Sequence, residues 1–361
     1  MMKNLIDNLF GKKNIKRTIS FAIVILAYIV ITILTNTIRV SRLFTSILVP
    51  VCCYIVLALS LNLCVGFSGE LSLGHAGFMA VGGFTAVVVS GLLSASVPNA
   101  IVRLIIAILA GGIVSGLFGL VISIPVLKLS GDYLAIVTLA FGQIIKSLIN
   151  NIYLGFDSTG VHFSFVNNTI ELAEGGRMLL EGPMGSVDVE KIASFTVGFI
   201  LIIFVLFVIY SLMGSKYGRA ITAARDNRIA AESIGINITK TKTLAFVISA
   251  VLAGMGGALY ALNNTSLQPS KFDFNTSISI LVYVVFGGLG NITGTIIATS
   301  VLYVLPELLR SLQDYRMLIY SVVLIVIMLV TNNTYLGQLI QKFRLIFNKK
   351  GDSHEWACFR N

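Results

Sequence analysis

Residues 216–242 read KYGRAITAARDNRIAAESIGINITKTK and lie between two long apolar runs. The segment carries Lys216, Arg219, Arg225, Arg228, Lys240 and Lys242 against only Asp226 and Glu232. A basic loop between hydrophobic spans is expected on the cytoplasmic side of a membrane. It also holds a short helix with its own boundary signals. Asp226 is placed to cap a helix from Asn227 to Ile234, and Gly235 is placed to end it. The capping box is incomplete, because Ile229 stands where a Glu or Gln would close it. Ala230, Ala231 and Gly235 are small enough to let a partner surface approach the backbone. A solvated linker is the other reading of so long a loop. The cap, the small residues and the terminal glycine together favour a docking helix.

The flanking chain sets the fold class. It is 56% hydrophobic and 12% charged, with a mean hydropathy of +0.91. Soluble domains average about 25% charged residues. Several apolar runs reach the roughly 20 residues that a spanning helix needs, and the alternation of barrel strands is absent. The chain therefore reads as an all-α polytopic membrane protein. The net charge of +10 fits basic cytoplasmic ends better than nucleic acid. Thr18 to Leu34 is too long for a signal-peptide core and lacks a small-residue cleavage site, so it reads as an uncleaved first span. Cys52, Cys53, Cys64 and Cys358 form no CxxC pattern and no cluster with histidine, which disfavours disulfides and zinc.

About ten crossings are expected, with cores at 18–38, 44–65, 77–97, 101–127, 133–152, 193–213, 244–263, 277–290, 292–309 and 316–335. The chain divides into a cytoplasmic segment 1–17, a single transmembrane domain 18–335 and a cytoplasmic tail 336–361. Inside the domain, 153–192 is an external loop and 214–243 a cytoplasmic one. The charges support this orientation. Lys3, Lys12, Lys13, Lys16 and Arg17 precede the first run, six basic residues lie in 214–243, and five more lie in the tail. The external loop is instead acidic, with Asp157, Glu171, Glu174, Glu181, Asp188 and Glu190 against Arg177 and Lys191. It is too short to be a domain, and reads as a cap on the pore mouth, as a receiver of an extracellular partner, or as a solvated loop.

Two glycine-rich stretches interrupt the helical pattern. Residues 66–83 read GFSGELSLGHAGFMAVGG, with Glu70, Ser72 and His75 among the glycines. Each glycine costs a helix roughly 1 kcal/mol relative to alanine. Irregular backbone at membrane depth is tolerated only inside protein or beside a watery cavity. The segment is expected to line the translocation path through Gly69, Glu70, Ser72, Gly74 and His75, with Ser68 and Ser72 as caps of a broken helix whose N–H groups meet a carboxylate. A short cytoplasmic turn is the alternative. The second stretch, 286–294, reads FGGLGNITG and adds Gly287, Gly288 and Gly290. One such break in each half points to a midplane site between repeats. Asp132 and Tyr133 open the fifth span, where Asp132 fits an N-cap. Gln143 is placed either to bond a neighbouring helix or to meet substrate. Gly112/Gly116 and the cluster Gly254, Gly256 and Gly257 suit helix packing. No GxxxxGK[ST], HExxH or GxSxG occurs, so neither ATP binding by that loop nor an intramembrane enzyme is supported.

These residues resemble the branched-chain amino acid permeases of ATP-binding-cassette importers. The resemblance rests on Gly69-Glu70-Leu71-Ser72-Leu73-Gly74-His75-Ala76-Gly77-Phe78, on Gly131-Asp132-Tyr133-Leu134-Ala135, and on Thr138-Leu139-Ala140-Phe141-Gly142. It continues through the loop from Arg219 to Ile236, through Val285-Phe286-Gly287-Gly288-Leu289-Gly290 with Gly294, and through Leu305-Pro306-Glu307. It covers roughly 44–335. The family usually has Gln in place of Glu70, an acid in place of Gln143, and a TGGxxG run where this chain has Ser158-Thr159-Gly160-Val161-His162.

The resemblance implies a four-part importer in a bacterial cell membrane. Two permeases pair, usually as a heterodimer with a sister subunit. Two cytoplasmic ATPases carry the ATP and Mg, so this chain has no cofactor of its own. An external binding protein delivers the substrate. The helix at 227–234 would dock on an ATPase, with Arg219, Arg225, Asp226, Asn227 and Arg228 orienting it and Ala230, Ala231, Gly235 and Ile236 in close contact. Competing readings are an ABC permease for urea, an amide, a sugar or a nucleoside, and a gradient-driven secondary transporter. The latter usually carries more intramembrane ionisable residues.

Overall fold

The computed structural model describes residues 12–37, 42–94, 96–126, 132–157, 160–166, 170 and 176–309, with single positions at 315, 318, 319, 321, 322 and 325. Expectations for residues 1–11, for most of the run 316–335 and for the tail 336–361 lie outside the described residues. The chain divides into two units at Tyr303 and Val304, and the architecture below is that of the first.

Seven helices among the described residues are long and apolar enough to cross a membrane, so the protein is a multi-pass membrane protein. They are α1 (Lys12–Thr37), α2 (Arg42–Asn62), α3 (His75–Leu93), α4 (Ala100–Val126), α5 (Asp132–Asn150), α6 (Phe195–Gly214) and α9 (Ile238–Ala261). They match the first seven expected runs. The eighth and ninth runs form the shorter helices α10 (Phe274–Gly287) and α11 (Ile292–Leu308), of 14 and 17 residues. Both fall below the roughly 20 residues of a full span. Of the ten expected crossings, seven are full-length spans among the described residues.

Helices α2, α3 and α9 are mostly buried, whereas α1 is peripheral. The core forms where α9 packs against α3 and α4. Small residues set this spacing. A methyl group on Gly82 would strike the Gly254 backbone, one on Gly257 would strike the Met79 carbonyl, and one on Gly112 would meet Met255 Cγ at 2.8 Å. Without a hydrophobic drive between helices in lipid, such close packing is the main source of association. Hydroxyls reinforce it: Ser115 donates to the Ala250 carbonyl at 2.8 Å and Ser249 to the Ser60 carbonyl at 2.6 Å.

This packing corrects the reading of 66–83. The irregular backbone is confined to 66–74, and Gly77, Gly82 and Gly83 lie inside regular α3. Their helical cost is offset by contact with Gly142, Gly254 and Gly257.

The segment expected as a plain external loop contains strands. β1 (Ile152–Asp157) pairs antiparallel with β2 (Gly160–Phe165) and β3 (Arg177–Glu181), and β4 (Ser186–Val187) pairs with β5 (Ser266–Leu267). Asp157 Oδ1 accepts the Gly160 N–H at 3.1 Å and lies 3.1 Å from His162 Nε2, which fixes the β1–β2 hairpin. Arg103 on α4 pairs with Glu190 at 2.5 Å. The strands lie at one end of the bundle, and the 20-residue α6 leads from there to the basic segment. At 1.5 Å per residue that helix spans about 30 Å, so the two features occupy opposite ends.

Candidate functional site

The basic segment folds as two short helices, α7 (Lys216–Asp226) and α8 (Arg228–Ser233), before α9 begins. Ser215 caps α7, its Oγ accepting from Tyr217 N and Gly218 N. The cap of α8 is Asn227, whose Oδ1 accepts from Ala230 N at 3.1 Å. This corrects the expected Asp226. Asp226 ends α7 and pairs with Arg225 at 2.9 Å. The two candidates are adjacent, and the extended backbone needed at an N-cap falls on Asn227, at φ −154° and ψ 106°.

Gly235 ends α8 as expected, at φ +84°. Gly235 N donates to the Glu232 carbonyl and Ile236 N to the Ala231 carbonyl, both at 3.0 Å. That pair of bonds is a Schellman motif, and its apolar contact is present. Ala231 and Ile236 pack with Ala224 and Ile238. Ala231 is therefore buried under the helix and does not face a partner. Ala230, Asn227, Arg228 and Gly235 are exposed. Ile229 and Ile234 are 77% and 75% exposed and flank Ala230. Sequence reasoning passed over them because isoleucine is unremarkable beside membrane spans.

The first glycine break lies directly against this segment. After α2, a π-helical turn spans Leu63–Phe67, and the chain stays irregular to Gly74. Arg225 donates to the Gly66 carbonyl at 2.7 Å. The Arg225 stem covers Gly69, where a methyl group would come within 2.7 Å of Cγ. Gly69 has φ +76°, a region that L side chains rarely adopt. Lys242 on α9 forms an ion pair with Glu70, and both side chains are largely buried.

The second break closes onto the first through Asn62, which is 1% exposed. Its Oδ1 accepts from Gly290 N at 2.8 Å, and its Nδ2 donates to Thr295 Oγ1 at 2.9 Å. Gly66 and Gly290 are so close that a side chain on Gly66 would overlap both Asn62 and the Gly290 N–H. Gly287 packs against Gly294 and Thr295. Asn62 was not anticipated. The available signal was a lone amide near the end of an otherwise apolar run.

The expected path residues separate into two groups. Gly69, Glu70, Ser72, Gly74 and His75 cluster at the break. His75 Nε2 lies 2.7 Å from Ser60 Oγ, and Gly74 abuts the Thr138 carbonyl. The expected serine caps are absent. Gly74 occupies the N-cap of α3 without a side-chain bond, and the N–H groups there and just before are met from other helices, Leu73 N by Thr138 Oγ1 and Ala76 N by Ser277 Oγ. Ser68 Oγ and Ser72 Oγ are buried without a hydrogen-bond partner among the described residues. Tyr133 and Gln143 do not join this cluster. Both are exposed on the outer face of α5, Tyr133 at 71%. The side chain of Asp132 lies outside the described residues. At the opposite end, a cleft of about 790 Å³ opens between α3 and the strands, lined by Ser90, Asp157, Arg177, Glu181, Asp188 and Glu190 among others. Among the described residues no cluster of metal-ligating side chains is found.

The chain is similar to known transport permeases. Residues 43–331 match the family described as branched-chain amino acid transport system / permease component. The chain is 34% identical over 301 residues to the high-affinity branched-chain amino acid transport system permease protein LivM of Salmonella typhimurium, covering 80% of this chain and 69% of the relative. It is 28% identical over 261 residues to the fructose import permease protein FruG of Bifidobacterium longum, covering 70% and 71%. A shorter match, 28% over 138 residues, covers 37% of this chain and 43% of the probable branched-chain amino acid transport permease protein LivH of Methanocaldococcus jannaschii. No solved structure matches. The chain belongs to the branched-chain amino acid transport system permease family.

Proposed function

We propose that this family member is the membrane-spanning subunit of an ATP-binding-cassette importer that moves branched-chain amino acids into the cell. The observation that carries the reading is α8. It is a capped, terminated helix with Ile229 and Ile234 held out of the protein beside basic residues that belong on the cytoplasmic face. A groove on a cytoplasmic ATPase would receive it by the helix-in-groove mode. Arg219, Arg228 and Asn227 would set its orientation, and Ala230 and Gly235 would permit close approach.

Two ATPase subunits, holding ATP and Mg, would drive the cycle, and this chain would have no catalytic step. A second, homologous permease is the expected partner in the bilayer. Its place is suggested by α5, whose outer face carries Tyr133 and Gln143 among Ile136 and Ile144. An amide facing lipid is costly, and a facing permease would turn that stripe into one wall of the path. The buried hydroxyls of Ser68 and Ser72, with Glu70 and His75, would supply polar groups at the first break. A leucine or valine side chain needs only apolar contact. The acidic cleft at the strand end would face outward, toward an external binding protein, with both chain termini in the cytoplasm.

The likeness to the fructose permease favours one alternative, an importer of the same build for a sugar. Both readings are tested by purifying the tagged chain from its native membrane in mild detergent. Recovery of a second permease and two ATP-binding chains is expected, with ATP hydrolysis stimulated by binding protein loaded with leucine or valine. Stimulation by fructose alone would support the sugar reading. Recovery of the chain alone, with ion-driven uptake in ATP-free vesicles, would overturn both.

A further inference from the structure

The basic segment and the two glycine-rich breaks are joined by a continuous series of polar contacts. Arg225, at the end of α7, holds the Gly66 carbonyl at 2.7 Å and covers Gly69. Lys242, in the second turn of α9, pairs with Glu70, which is 8% exposed. Asn62 then carries the connection from the first break to Gly290 and Thr295 of the second. The first break has glycine at 66, 69 and 74, and contacts from outside hold it at two of them, Gly66 and Gly69. Separating the Lys242–Glu70 pair would leave a carboxylate poorly solvated, which holds the pair together. The contacts span both ends of the basic segment, one from α7 and one from α9, so the segment cannot shift without pulling on the first break.

Resting on the importer reading, we infer that Glu70, Lys242, Arg225 and Asn62 are positioning residues for transport. They move the two glycine-rich turns together with the 216–242 segment as one piece, so that work done by the ATPases on α8 reaches the path. Without them the ATPases would cycle while the turns lag behind. In the structure Arg225 is turned to the Gly66 carbonyl and Asp226 rather than outward, and all four contacts lie apart from the exposed Ile229 and Ile234, which makes coupling efficiency the quantity they control.

The test uses the complete importer in proteoliposomes, with leucine uptake and ATP hydrolysis measured together. Uptake per ATP is expected to fall about tenfold in E70Q and in K242Q, within the range that coupling free energies span. The fall is expected to be smaller in R225Q, which loses one hydrogen bond to the first break and leaves the Lys242–Glu70 pair in place. The charge-swapped double variant E70K/K242E is expected to recover most of the loss, because the pair interacts directly. A ratio unchanged from wild type in E70Q, K242Q and R225Q would overturn the inference. So would uptake and hydrolysis falling in equal proportion in every variant, the double included, because that is the signature of a merely structural role. If E70Q does not accumulate in the membrane, R225Q decides alone, since Arg225 is partly exposed and its loss leaves no buried charge. A wild-type complex that hydrolyses no ATP in response to loaded binding protein would defeat the importer reading instead, a result distinguishable from an unchanged ratio.

Discussion

The two glycine-rich breaks look alike in composition and differ in how they are held. The first, 66–74, begins in the last residues of a π-helical turn and is fixed from outside by charge, through Arg225 on a carbonyl and Lys242 on Glu70. The second, 287–291, contains no charged residue and is closed locally. Gly288 and Gly290 take φ +87° and +77°, and Asn291 Oδ1 accepts from Gly294 N at 3.3 Å. Among the described residues its outside hydrogen bond comes from the amide of Asn62. The same residue type thus builds a segment that is steered by the basic loop in one half and a compact turn in the other. Among the described residues, the polar contacts to the basic segment are made by the first break.

This contrast is open to substitution. Gly66→Val should have the largest effect, because its side chain would overlap Asn62 and the Gly290 backbone at once. Overpacking a rigid contact and breaking the Asn62 bond should together cost about 3 kcal/mol or more, seen as loss of the subunit from detergent extracts. Lys242→Met should cost about 3 kcal/mol by leaving Glu70 unpaired, and Glu70→Leu added to it should recover part of that in thermal unfolding. If Lys242→Met unfolds like wild type, the first break is not held by charge. Asn62→Ala strands the Gly290 N–H and should cost about 2 kcal/mol, with protection of the second break falling in amide exchange while the first is disturbed less. Gly288→Ala meets no close atom, the nearest being Asn291 Cβ at 3.6 Å, so only backbone strain opposes it. A loss of about 1 kcal/mol is expected, and a value near that of Gly66→Val would show that space rather than conformation limits both breaks.

The spans, both breaks and α8 were legible because each is a local pattern, in apolar length, glycine spacing and boundary residues. Gly235 illustrates this: only its own chain neighbours are needed to read a helix stop. The position of the α8 cap was missed by one residue because Asp226 and Asn227 are equally good caps, and the choice depends on where α7 stops. The serine caps failed for a different reason. Thr138 and Ser277 reach the start of α3 from distant helices, leaving Ser68 and Ser72 for other uses. The Lys242–Glu70 pair joins residues 172 apart, and nothing local marks either as the other's partner. The strands at 152–187 were obscured by polar residues and short lengths within a loop.

The central claim is that α8 faces an ATPase and the strand end faces away from it. It is tested most directly by placing a photoreactive residue at Ile229 and, separately, at Val161 on β2, which is 53% exposed, in cells expressing the whole system. The account predicts an adduct with an ATP-binding subunit from position 229 and none from position 161. An ATPase adduct from 161, with none from 229, would contradict it.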